Sequence, residues 1–145
     1  MIAEIGHFAL VLSVVQCVLP LVGAARGIGS WMALARTAAY ANALFLTISF
    51  GTLAYSFYIS DFTLLNVASN SNSLLPWFYK VAASWGSHEG SILFWALMLT
   101  WWGFFVALTS CKLPQETVAR VLGVMGFITA GFVAFMLFTS NPFLR

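Results

Sequence analysis

Charge is scarce in this chain: of its 145 residues only 7% are Asp, Glu, Lys or Arg, against 61% hydrophobic and 17% aromatic. A soluble domain of that length has to cover itself with polar side chains, so the composition excludes one and places the chain in a membrane. The net charge of +2 comes with no basic patch interleaved with aromatics, which argues against nucleic acid as a partner. Cysteine is scarce too. Cys17 and Cys111 lie in or beside apolar runs, with no CxxC or CxxCH near either, and read as small apolar fillers rather than a disulfide or metal pair. There is no Walker loop, GxSxG, HExxH or spaced metal cluster, so motifs assign neither a catalytic residue nor a metal site.

What the chain has is long apolar runs. Four of them, at 5–23, 38–58, 87–109 and 121–138, predict transmembrane helices. The first would reach roughly 28 Å at about 1.5 Å per residue, enough to cross the hydrocarbon. Its only leading charge is Glu4, where a cleaved signal peptide would want Lys or Arg, so it reads as a retained helix. His7 near its outer end reads as an interfacial histidine, and Pro20 and Gly23 close it. The stretch 24–36, with Arg26 and Arg36, reads as a short connection. The expected fold is an all-α integral membrane protein: residues 1–145 form one four-helix segment with an interfacial outer loop, part of a larger multi-helix bundle.

In the second span Asn42, Phe45, Ser49, Thr52 and Ser56 recur at helical spacing, which puts them on one stripe facing protein rather than lipid. Such a stripe hydrogen-bonds a neighbouring helix or lines a substrate path. The outer loop, 59–86, is rich in turn formers, and Trp77, Phe78, Tyr79 and Lys80 form an aromatic belt. A short interfacial helix is predicted between Leu74 and Trp85, with Pro76 near its start. On the fourth span Gly126, Ala130 and Ala134 make a small-residue edge for close helix approach. The chain stops soon after Asn141-Pro142, which predicts a split or truncated piece of a larger protein.

The third span opens with Trp85-Gly86-Ser87-His88-Glu89-Gly90-Ser91, a Gly-rich turn carrying two ionisable groups at the lipid boundary. Ser87 is a good N-cap, and Glu89 is favoured by the positive end of the helix dipole. His88, Ser91, Trp95, Met98 and Trp102 share one face, a surface suited to a flat apolar macrocycle with a coordinating metal or, equally, to interfacial anchoring. Four Lys and Arg side chains in the connections after spans one and three, against Lys80 and Arg145 at the opposite end, predict an outward N-terminus, with the 59–86 loop outward as well.

Several blocks, in order, carry a resemblance: Glu4-Ile5-Gly6; Val67-Ala68-Ser69-Asn70-Ser71-Asn72; Leu75-Pro76; Tyr79-Lys80; the Trp85 to Ser91 turn; Ala119-Arg120-Val121-Leu122; and Thr139-Ser140-Asn141-Pro142-Phe143. Together they resemble the N-terminal part of the CcmF/NrfE family of cytochrome c maturation haem lyase subunits, over nearly the whole chain. The resemblance implies a machine that joins haem vinyl groups to the CxxCH thiols of an apocytochrome c. It implies haem b as the cofactor, and membrane lipid, a haem chaperone, other maturation subunits and apocytochrome c as partners. It also implies a bacterial inner membrane, with the loop periplasmic, or an organellar inner membrane for a split subunit. The family's Trp-rich haem motif and its haem-ligating histidines are not in this chain, so no ligand carries over. His88, Glu89, Trp85 and Trp95 are candidate cofactor-binding residues from position and neighbours alone, and Glu89 can instead pair with His88 or Lys80. Two other classes stay open: a proton-conducting or transporter subunit, which would need more ionisable groups at mid-membrane depth, and a purely structural helix-packing subunit.

Overall fold

A computed structural model describes residues 1–27 and 29–145, with the backbone alone for Ala24. In chain order the helices are α1 (Ile2–Arg26), α2 (Gly29–Tyr58), α3 (Leu65–Asn70), α4 (Trp77–Gly86), α5 (His88–Thr109) and α6 (Gln115–Phe138), with a 3-10 turn at Ser110–Lys112. The described residues contain no strand. Helices α1, α2, α5 and α6 are long and apolar enough to cross a membrane. This is the all-α membrane architecture that the apolar runs predict.

The helices outrun the apolar windows, because backbone hydrogen bonding continues where hydropathy falls. Helix α2 begins at Gly29, so most of the stretch expected as a connection is helical, broken at Gly27, which caps α1 in the left-handed region at φ 64°. Position 28 lies outside the described residues. The 30 residues of α2 span about 45 Å, so its first turns overreach the hydrocarbon. From there Arg36 donates Nη2 at 2.7 Å to the Ser110 carbonyl after α5, which also accepts from the Leu113 N–H. The segment 59–86 is not plain loop: it holds α3, and α4 starts directly after Pro76, where the sequence predicts a helix.

The four long helices close a ring in which α1 packs on α2, α2 on α5, α5 on α6 and α6 on α1. Antiparallel register shows in the close approaches. A Cβ on Gly6 would strike Thr52, and one on Gly23 would stand 2.6 Å from the Trp31 carbonyl oxygen. Cys17 accepts a hydrogen bond from Asn42 Nδ2 at 3.2 Å. On α6, Gly126 meets the carbonyl of Cys17, so the small-residue edge does bring two backbones together. The core between the helices is Leu10, Leu46, Leu53, Phe57, Leu93, Val133 and Met136.

The α2 stripe faces inward as expected, with Asn42, Ser49 and Ser56 buried. Its hydrogen bonding differs from the expectation. Thr52 and Ser56 donate back to their own helix, at the Ser49 and Thr52 carbonyls, and only Asn42 reaches across to another helix. These two hydroxyls are short enough to bond the preceding turn, whereas the amide is long enough to cross; the Ser49 Oγ is buried without a partner.

Candidate functional site

The Trp85 to Ser91 segment is a corner rather than a glycine turn. Helix α4 ends at Gly86, and Ser87 alone, extended at φ −76° and ψ 153°, separates it from α5. The Ser87 Oγ accepts from the Gly90 N–H at 3.1 Å, the N-cap expected from sequence. Gly90 is needed for a different reason: a Cβ there would collide with the Ser84 carbonyl oxygen, so the end of α4 packs against the first turn of α5.

This corner puts His88 at the first position of α5, exposed, and Glu89 beside it, half-buried at the positive helix end. Among the described residues neither takes part in an ion pair; those present are Glu4 with the N-terminus and with Arg145, and Glu116 with Arg120. Lys80, one expected partner for Glu89, instead donates Nζ to Ser60 Oγ at 2.7 Å.

Below the corner lies an outward-facing aromatic wall. The Trp85 ring stands 6.4 Å from Phe94, which in turn stands 5.6 Å from Phe50 on α2. Phe94, Trp95, Met98, Leu99 and Trp102 line a shallow groove of about 290 Å³, with Trp95 and Trp102 each 63% exposed. Trp85 meets this wall through Phe94 and does not line the groove. His88 does not line the groove; seven positions before Trp95, it stands about 10 Å higher along α5. Trp77 is at the opposite end of α4, edge-on to Phe78. No three His, Cys, Asp or Glu side chains converge among the described residues. His88 is thus the one imidazole on this side of α5, at the upper edge of the aromatic surface rather than in the groove.

At the same end of the bundle, the last residues fold back over the start of α1, a placement the sequence did not suggest. The Leu65 N–H donates to the Leu144 carbonyl at 2.9 Å, tying the tail to α3. Asn141 Oδ1 accepts from the Phe143 N–H at 3.0 Å, which turns the chain so that Phe143 is buried against Gly6 and edge-on to His7, 6.4 Å between centroids. Asn141 Nδ2 lies 3.4 Å from His7 Nδ1, and Arg145 pairs with Glu4 at 3.3 Å. These groups border an open groove of about 600 Å³. His7 is thus contacted by the folded-back tail. Its only signal in the sequence was the Asn-Pro-Phe turn.

No protein-family model matches the chain. Curated relatives match it end to end: the cytochrome c-type biogenesis protein CcmF of Pseudomonas aeruginosa is 53% identical over 100% of this chain and 23% of its own length. CcmF of Escherichia coli is 46% identical with the same coverage, and the biogenesis protein NrfE of Haemophilus influenzae is 42% identical over 100% of this chain and 24% of its own. A solved structure described as "Cytochrome c Heme Lyase CcmF" superimposes with a TM-score of 0.92 at 26% identity, over 99% of this chain and 25% of that one. The chain is homologous to an N-terminal part of CcmF. It spans about a quarter of the length of the CcmF proteins it matches, and the agreement runs through all four long helices and the corner at Ser87.

Proposed function

We propose that this four-helix unit is a wall of a membrane haem lyase subunit for c-type cytochrome biogenesis, the class of protein that the CcmF relatives name. One observation carries the reading: 53% identity to CcmF along the whole chain, on a fold that superimposes with a TM-score of 0.92. In such a machine haem is cargo, held so that its vinyl groups meet two reduced cysteines of an apocytochrome, and positioning supplies most of the rate. The chain's own contribution is a flat apolar surface at Trp85, Trp95 and Trp102, with His88 as one imidazole donor and Glu89 as a carboxylate at its upper rim. Haem b, a haem chaperone, the other maturation subunits and the apocytochrome are the partners this role requires. The reading places the unit in a bacterial inner membrane with Ser87 and the 59–86 segment on the periplasmic side. In its support, Arg26, Arg36, Lys112 and Arg120 gather at the opposite end of the bundle.

The proton-conducting alternative loses ground on the interior. Every buried polar side chain among the described residues is Ser, Thr or Asn, so no titratable oxygen or nitrogen of Asp, Glu, Lys or His stands at mid-depth. The helix-packing alternative is separated by experiment. His88→Ala in the full-length subunit, expressed with the rest of the maturation machinery, is expected to lower covalently bound c-type haem at least several-fold while subunit abundance in the membrane stays unchanged. Undiminished haem attachment at equal abundance would leave the unit a structural wall only.

A further inference from the structure

The ring of helices has a polar spot at its centre, behind the aromatic groove with which it shares Leu99, and its reading does not rest on the proposed function. Gln16 of α1, Asn42 of α2, Thr100 of α5 and Thr129 of α6, one residue from each long helix and each near mid-length, line an internal cavity of about 20 Å³ together with Pro20 and Gly126. That is room for one water molecule and for little else. Asn42 is only 6% exposed, and while its Nδ2 donates to Cys17, its Oδ1 is buried without a protein partner. Pro20 lies inside α1 and has no N–H, so it cannot complete the helical bond to the Gln16 carbonyl. Thr100 and Thr129 donate to Leu97 and Met125 carbonyls at 2.8 and 2.9 Å, which leaves both hydroxyl oxygens able to accept.

The Gln16 amide and the second Asn42 N–H bring donors to the wall. The acceptors (Asn42 Oδ1, Gln16 Oε1 and carbonyl, and the Thr100 and Thr129 hydroxyl oxygens) outnumber them around a space of one-water size, at the depth where lipid offers nothing to bond to. We propose that this cavity is a binding site for a single structural water, which donates one proton to Asn42 Oδ1 and the other to an acceptor in the wall supplied by Gln16, Thr100 or Thr129. Among the described residues no carboxylate lines the cavity, so neutral water fits it better than a metal cation. The water gives Asn42, already bonded to Cys17 of α1, a second link to a neighbouring helix.

The test is a density map of the intact full-length subunit, sharp enough to show ordered water, for the native protein and for Asn42→Leu. The expected result is one isolated peak within hydrogen-bonding distance, about 3 Å, of Asn42 Oδ1 in the native map and none in the variant. A native map that shows other buried waters but no peak here overturns the proposal. So does a peak bonded only to threonine hydroxyls and persisting in Asn42→Leu. Should that variant fail to assemble, the native map decides alone.

Discussion

At Gly126 and Gly90 the missing side chain is what lets two segments meet. The obstacle to a Cβ at either place is a backbone carbonyl, of Cys17 or Ser84, which cannot swing aside as a side chain can. Gly126→Ala should therefore force α6 away from α1 and cost about 1–3 kcal/mol, the usual range for overpacking. It should appear as a lowered thermal unfolding midpoint in detergent. Gly131, on the same helix with nothing within 4 Å of its Cβ position, is the control: alanine there should be neutral or stabilising, given its higher helix propensity. Equal midpoints for the two variants would mean that the α1–α6 approach is not tight. The reason for Gly126 was legible in sequence, because glycine and alanine four apart on an apolar helix mark a packing edge. That for Gly90 was not: next to Gly86 and Ser87 it read as part of a turn, and the carbonyl it accommodates belongs to the preceding helix.

Helix α5 depends on its first turn, since Ser87 both ends α4 and caps α5. Ser87→Ala should cost about 1 kcal/mol of stability by leaving the Gly90 N–H without its acceptor. An unchanged midpoint in Ser87→Ala would mean that the cap adds nothing to stability. Helix identity and facing were readable at this scale because period and hydropathy report them directly: the Asn42 to Ser56 stripe is inward, and α4 follows Pro76. Helix length was less so. The first turns of α2 carry Gly, Ser and Arg, which lower hydropathy without breaking the helix. Which partner a polar side chain takes was not readable at all, because a serine or threonine hydroxyl bonds its own preceding turn as readily as a neighbouring helix.

Across the whole molecule the charges sort by end. Arg26, Arg36, Lys112 and Arg120, with the single acid Glu116, lie with the α1–α2 and α5–α6 connections, while Glu4, Asp61, Lys80, Glu89 and Arg145 lie at the end that carries α3, α4 and the folded-back tail. The tail was invisible to periodicity, because its hold comes from Asn141, Phe143 and Arg145 meeting residues from the far end of the sequence. The charge division was visible from counting alone, and it makes orientation testable with the chain's own thiols. Cys111 is exposed in the 3-10 turn at the cationic end, and Cys17 is buried between helices, so it contributes no background. A membrane-impermeant maleimide should leave Cys111 unlabelled in cells whose outer membrane alone is permeabilised, and should label it once the inner membrane is broken. In a Cys111→Ser background, Ser73→Cys, exposed between α3 and α4, should behave in the opposite way, labelling at once in the same cells. Immediate labelling of Cys111 together with protection at position 73 would turn His88 and the corner at Ser87 toward the cytosol and overturn the proposed orientation.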